Sequence, residues 1–343
     1  MPTHEKNLID PRQRYPAVQF DKVLVVGLGQ LGLPVAKYVK ERGFDTYGYD
    51  ISTKAMDRAE KTEGIKKATN FCEFDICILC VSTHKPEDMF SPQTDGLLSI
   101  ADRISREAKN GALVSIESTI PKGTSNKVFE ILNHGLHVVH APHRWYALEE
   151  KEHGVNQLRV IGGVCDCCLR LGVQFYDGDY ACNSGVETFP RSSSSPSNSS
   201  IKSLGIPMHP VTEIETAEIT KVAENAHRYL QIAFAEELYL YCQANNINFP
   251  ELRDALNTKW NVNILEPREG IGGHCLPKDT KMFLHSSSSP SKSKRSKILT
   301  AAMEVDLEYR RSREFGHLTS RNSSSLSEGS SEDPDRDQLV SSS

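Results

Sequence analysis

The chain has 343 residues, 38% hydrophobic and 25% charged, with a formal net charge of −5. That length suits one large or two ordinary domains, and the mild acidity argues against nucleic acid as the main partner. No apolar run approaches the roughly 20 residues that span a bilayer. The opening MPTHEKNLIDPRQRYP has no apolar signal core, so the sequence reads as a cytoplasmic protein with no membrane partner.

Residues 1–20 are polar and Pro-punctuated, and read as a loose arm. From Lys22 an alternation begins. KVLVVGLG is a run of buried-strand type, LGLPVAKYVKERG has helical periodicity, and DTYGYD is a second strand. DICILCVST, ALVSIEST, HVVHAP and LRVIGG read as further strands, with helices at LLSIADRISREAK and TSNKVFEIL. Strands alternating with helices predict an α/β fold: a Rossmann-type, doubly wound parallel sheet over 21–185. The Ser-rich PRSSSSPSNSS lies in a flexible insertion, 186–203. A helical central domain follows over 204–313. It includes the long TEIETAEITKVAENAHRYLQIAFAEELYLYCQANN and two later helices near PELRDALNT and ILTAAMEVDLEYRRSRE. Residues 314–343 read as a disordered tail.

The clearest local signal is GLGQLG, which puts Gly27, Gly29 and Gly32 in G-x-G-x-x-G spacing after a strand and before a helix. Gly27 allows the tight turn, Gly29 the approach of a pyrophosphate to the helix start, and Gly32 close helix–strand packing. Gln30 and Leu31 lie in the same turn. Asp50 follows Gly29 by 21 positions, where a carboxylate accepts from ribose hydroxyls and repels a 2′-phosphate. The cofactor predicted is therefore NAD.

Nine cysteines are scattered along the chain. GGVCDCCLR groups Cys165, Cys167 and Cys168, and a metal set completed by Cys182 is conceivable there. However, C-x-C-C lacks the paired spacing of metal sites, so no metal is predicted and the thiols read as reduced structural groups. Cys275, in EGIGGHCLPKDT, is different. A thiol beside a nicotinamide can add to an aldehyde, and the adduct can be oxidised to a thioester that water hydrolyses. Such chemistry needs a thiolate, an oxyanion stabiliser and activated water, roles open to Cys275, Lys221 and Asp279. Gly270, Gly272 and Gly273 would let substrate lie against backbone. The residue alone leaves a small buried thiol as the other reading of Cys275.

Four blocks in order, VVGLGQLGLPVA, ESTIPKGT, TAEITKVAENAHRYLQIAFAEEL and NVNILEPREGIGGHCLPKD, resemble the UDP-glucose/GDP-mannose dehydrogenase family, most of all its UDP-N-acetylmannosamine dehydrogenase branch. The resemblance implies an NAD-dependent, four-electron oxidation of a nucleotide sugar's C6 alcohol to a carboxylate. It implies Cys275 as nucleophile, Lys221 and Asn225 as oxyanion stabilisers one helical turn apart, and Asp279 as the group that positions water. Thr119 would hold that water and approach the nicotinamide. Thr83 and Lys278 would line the cofactor, while Ile264, Leu265, Gly272, Gly273 and His143 would line the substrate. The family pairs its subunits through the element at 212–245, which implies a homodimer.

Two departures stand out. Where many members have Pro-Glu at a strand end, this chain reads APHRW. Either His143 moves protons there, or it packs or binds phosphate while Glu149 or Glu150 takes part. The family's C-terminal nucleotide-binding domain is also absent from the sequence. A dehydrogenase of another polar substrate, and a non-catalytic relative that binds NAD and dimerises, therefore stay as alternatives.

Overall fold

The computed structural model describes residues 18–85, 87–144, 154–178, 202–273, 275–286 and 296–326. Glu149, Glu150, Cys182, most of the Ser-rich insertion and the end of the expected tail lie outside them. The chain forms two compact units, one of Met1–Ala226 with His274–Lys294, the other of His227–Gly273 with Arg295–Ser343.

The first unit is built on one sheet. β1 (Lys22–Val26) leads to α1 (Gly32–Glu41), β2 (Asp45–Tyr49), α2 (Thr53–Glu63) and the two-residue β3 (Lys66–Lys67). β4 (Ile76–Leu79) precedes a short antiparallel hairpin of β5 (His84–Lys85) and β6 (Asp88–Pro92). Then come α3 (Asp95–Glu107), β7 (Leu113–Ile116), α4 (Thr124–Ile131), β8 (His137–His140), β9 (Arg159–Gly163), α5 (Asp166–Asp177) and β10 (Met208–Val211). α6 (Ile214–Ala244), α7 (Phe249–Asn257), α8 (Cys275–Ser286) and α9 (Lys297–Leu326) complete the elements.

Strand order is β3-β2-β1-β4-β7-β8-β9-β10. All neighbours are parallel except β8 and β9, so the expected doubly wound parallel sheet carries one antiparallel pair. β9 re-enters from the edge at which β8 leaves, so it runs back along its neighbour. β10, which the sequence reading places in the central domain, joins the sheet beside β9. Leu204, Ile206 and Met208, just before and within it, are buried and draw that segment in.

Alternation along the central strands sends side chains to two cores. Val23, Val25, Ile76 and Ile78 meet Val35, Ala36 and Val39 of α1 and Cys168, Leu169 and Val173 of α5. Leu24, Val26, Cys77 and Leu79 meet Leu97, Ile100 and Ile104 of α3 and Val128 of α4. Burying each large aliphatic side chain contributes about 2 kcal/mol. Helices thus cover both faces, the doubly wound arrangement.

In the second unit, α9 anchors the segment before Cys275. Asp306 accepts from Tyr229 Oη at 3.2 Å through Oδ2, and from the Ile271 amide and Arg310 Nε, each at 3.0 Å, through Oδ1. Tyr309 Oη donates to the Arg268 carbonyl at 2.6 Å. Gly270 takes φ +96°, a left-handed conformation that a glycine adopts without strain. α9 continues to Leu326, past the end at Arg313 suggested by the sequence.

Glu236 of α6 is fully buried within this unit, and burial together with the nearby Asp306 carboxylate pushes its pKa up to about 8. Asp306 receives three donors, while Glu236 is the group that burial favours in its protonated form. A raised folded-state pKa stabilises the fold below the ordinary carboxylate range, and that stability is lost as pH rises through about 8. The melting temperature should therefore fall as pH rises from about 4.5 to about 8 and level off above it, and Glu236→Gln should flatten that dependence. An unchanged slope in the variant, followed by circular dichroism, would remove Glu236 as its source.

Candidate functional site

The parallel strands of the first unit end at one edge of the sheet, and the candidate residues follow them. Gly27 lies just past β1, Asp50 just past β2, Thr83 after β4, Thr119 after β7 and His143 after β8. In open α/β sheets this edge, where strand order reverses beside the first strand, is where ligands bind.

The three glycines differ in what they do. Gly27 has φ +90°, and a Cβ there would lie 2.5 Å from the Cys80 carbonyl oxygen. A Cβ on Gly32 would meet the Gly27 carbonyl oxygen at 1.7 Å. Both are required by the fold itself. A Cβ on Gly29 would meet nothing within 4 Å, so the chain leaves open space at the start of α1 that it has no packing reason to leave. Gln30 is exposed and Leu31 is the N-cap residue of α1. Asp50 is held by the backbone: Oδ2 accepts from the Leu28 amide at 2.7 Å and Oδ1 from the Ser52 amide at 2.8 Å. Arg58 steadies the same turn through the Leu28 carbonyl at 2.9 Å.

Cys275 is not in a loop, as the sequence suggests, but opens α8. Pro277 fits this helix's first turn because the amides there have no partner within the helix. A helix start favours an anionic thiolate. Cys275 is exposed. The protein packed behind it and the Asp279 carboxylate push its pKa up, while Lys278 and Lys221 draw it down.

The next turn of α8 is buried. Lys278 and Asp279 are 5% and 1% exposed and form an ion pair at 2.9 Å. Lys278 Nζ donates to Thr83 Oγ1 at 3.1 Å, and Thr83 Oγ1 donates to the Thr119 carbonyl at 2.7 Å. On the other side, Asn225 Nδ2 donates to Asp279 Oδ2 at 2.5 Å. One polar chain thus runs from Thr119 through Thr83, Lys278 and Asp279 to Asn225. Lys221, one turn before Asn225, has its pKa lowered by burial, against the pull of Asp279, Glu224 and Cys275.

His143 belongs to a buried cluster beside this chain. Arg159 Nη2 lies 2.9 Å from its Nε2, and Glu117 Oε2 is 3.6 Å away. Glu117 Oε1 pairs with Arg159 Nη1 at 3.0 Å and accepts from Tyr176 Oη at 2.6 Å. Burial, then Arg159 and Lys221, hold the His143 pKa well below its ordinary value, so the imidazole is neutral. Its neighbour Arg144 pairs with Glu224 of α6.

Glu117, Arg159 and Glu218 were not singled out from the sequence. A glutamate closing the apolar ALVSIEST is the signal that could have found the first. Glu218, fully buried, accepts from the amides of Gly123 at 2.5 Å and Ser125 at 2.7 Å and so caps α4. Ile264, Leu265, Gly272 and Gly273 fall in the second unit. Ile264 is fixed there by Asn257, which accepts from its amide at 2.6 Å, while Gly272 and Gly273 are exposed.

Fold and edge define a dinucleotide-binding unit joined to a helical one. Residues 59–178 match the NAD binding domain of the UDP-glucose/GDP-mannose dehydrogenase family, and residues 215–307 match its central domain. Together these matches cover more than half of the chain, and the protein belongs to that family. It is 27% identical to UDP-N-acetyl-D-mannosamine dehydrogenase of Methanococcus maripaludis over 83% of this chain and 65% of that one. With the Pyrococcus horikoshii enzyme of the same name it shares 30% identity over 77% of this chain and 64% of the relative. A solved UDP-D-ManNAc dehydrogenase from Pyrococcus horikoshii superposes with a TM-score of 0.66 at 25% identity, covering 84% of this chain and 68% of that one. The chain thus spans just under two thirds of the length of these two sequence relatives. The cofactor of its N-terminal domain is NAD, and the open space at Gly29 with the anchored Asp50 carboxylate fits it.

Because Gly29 serves no packing role, Gly29→Val should fold normally yet lose NAD affinity at least about tenfold, since a side chain would fill the pyrophosphate position. Gly32→Ala should instead destabilise the fold, by roughly 2 kcal/mol or more. Asp50→Ala should weaken NAD and relax discrimination against NADP. Calorimetry that finds wild-type NAD affinity in Gly29→Val and Asp50→Ala would overturn the assignment.

Proposed function

We propose that the protein is an NAD-dependent nucleotide-sugar 6-dehydrogenase. It would oxidise a C6 alcohol, on a UDP-N-acetylmannosamine- or UDP-glucose-like substrate, to the carboxylate, as a cytoplasmic homodimer. The observation that carries this reading is the polar chain joining Thr119 at the sheet edge to Asp279 and Asn225 beside Cys275. It ties the nucleophile's helix to the cofactor edge. The names of the sequence relatives support the substrate class.

Bound NAD supplies the hydride acceptor for two successive oxidations. The chain's own groups do the rest. Lys221 and the Asn225 amide stabilise negative charge on the C6 oxygen, which develops in both oxidations. The Cys275 thiolate adds to the C6 aldehyde to give a thiohemiacetal, whose oxidation leaves a thioester. Asp279, its other oxygen held by Asn225, orients the water that cleaves the thioester. Thr119 positions that water from the cofactor side. His143, neutral and engaged by Arg159, shapes the edge rather than exchanging protons with solvent. Dimerisation would use α6, where Phe234 and Tyr241, seven positions apart, expose 52% and 57% of their surface.

With NAD and UDP- or GDP-sugars, turnover should yield two NADH per sugar oxidised. Cys275→Ser should keep NAD binding and lose turnover on the order of a thousandfold or more. Lys221→Ala should slow both oxidations. A chain that binds NAD without turning over any sugar would support the second reading, a non-catalytic relative. Light scattering should report a dimer at micromolar concentration; a monomer would contradict the α6 interface.

A further inference from the structure

The opposite edge of the same sheet holds a second cluster of chemistry-bearing side chains. There β8 begins, β9 ends and α5 starts. The antiparallel register sets His140 beside Gly162 and Val139 beside Gly163, and it continues as the Val164 amide donates to the Val138 carbonyl at 3.2 Å. The next step of that register carries Cys165 toward His137. Gly163 makes the turn possible, since a Cβ there would lie 2.4 Å from the Leu169 amide nitrogen. Cys165 is the N-cap residue of α5, and Cys167 and Cys168 sit in its first turn.

Three donor atoms, those of His137, Cys167 and Cys168, converge as a result, with Cys165 Sγ beside the two thiols. Cys165 Sγ lies 2.9 Å from Cys167 Sγ and 3.2 Å from Cys168 Sγ. His137 Nδ1 lies 3.5 Å from Cys168 Sγ and 3.8 Å from Cys167 Sγ. The donor atoms of His137, Cys167 and Cys168 all fall within 4.8 Å of one another. Around a tetrahedral zinc ion, with Zn–S near 2.3 Å and Zn–N near 2.0 Å, donors stand about 3.5–3.8 Å apart. The imidazole already meets that spacing with Cys167 and Cys168, while Cys165 Sγ has to turn toward it and the sulfurs have to part by less than about 1 Å, both by thiol rotation. The Val138 amide donates to Cys168 Sγ at 3.4 Å, the kind of backbone contact that steadies a thiolate ligand. The start of α5 favours negative charge on the same sulfurs.

We propose that His137, Cys165, Cys167 and Cys168 form a structural zinc(II) site that clips α5 to β8. The C-x-C-C spacing argues against a metal only while all ligands are sought among cysteines. The missing ligand is His137, from a strand 28 positions upstream of Cys165. Three soft thiolates and one imidazole suit zinc over magnesium or calcium. At the far edge of the sheet from Gly29, the ion would hold the fold rather than take part in oxidation.

The test is metal binding by the full chain, reduced and stripped with a chelator. Titrated with zinc(II) against a chromophoric chelator, it should bind one equivalent. With cobalt(II) it should show intense thiolate charge-transfer absorption. Zinc should protect Cys165, Cys167 and Cys168, but not Cys275, from alkylation read by mass spectrometry. Cys167→Ser/Cys168→Ser should abolish the equivalent, His137→Asn should weaken it at least about tenfold, and Cys275→Ser should retain it. Should the double variant fail to fold, the alkylation pattern of the wild-type chain decides alone. Absence of stoichiometric binding at micromolar zinc would overturn the proposal. So would equal binding by a folded double variant, protection of Cys275 instead, or a Cys165–Cys167 disulfide that persists under reducing conditions.

Discussion

A buried ammonium group organises the first unit. Lys278 is withdrawn from water, and removing a charge from water is costly unless it is paired and hydrogen-bonded. Its partners answer that cost from two directions: Asp279 from its own helix, and the Thr83 hydroxyl from the segment that follows β4. Removing either partner would leave a buried charge short of compensation, so α8 has one favourable seat. Cys275, three residues earlier on that helix, inherits its position from the same constraint.

The rest of the edge follows a similar economy of polar groups. The Thr83 hydroxyl in turn donates a hydrogen bond to the Thr119 carbonyl, which ties the segments after β4 and β7 together. Asp279 reaches across to Asn225, which brings the first half of α6 into the arrangement. A little further along, Glu117 and Arg159 are almost wholly buried and paired with each other, with Tyr176 and His143 beside them. The antiparallel β9 makes this pairing possible, because its first residue lies at the edge where β8 ends. The same reversal puts the last residues of β9 at the far edge, where the cysteines of α5 meet His137.

Much of the nucleotide half was legible in the sequence. Continuous apolar strands, helical periodicity and G-x-G-x-x-G are local signals, and they sufficed for β1, α1, β2, β4 and β7. Contacts made over long separations were not legible. Nothing local announces that Arg159 will meet Glu117, or that Glu218 will cap α4 from 93 residues away. The cysteine trio was visible, but its histidine was not, since strand register and not spacing brings the two together. α8 reads as a loop in the sequence because two glycines crowd its start, although its first-turn proline is compatible with a helix. The His143 substitution was visible, yet its neutral, buried setting depends on Arg159 and Lys221, which only the fold supplies.

The central claim is that Cys275 forms a covalent bond to the sugar carbon while the polar chain holds its helix at the cofactor edge. The most direct measurement is acid quenching during incubation with NAD and UDP- or GDP-sugars, followed by digestion and mass spectrometry. The account predicts a sugar-acyl mass on the peptide containing Cys275 and on no other cysteine peptide. Steady oxidation to the carboxylate with that peptide unmodified at every quench time, and with full turnover retained in Cys275→Ser, would contradict it.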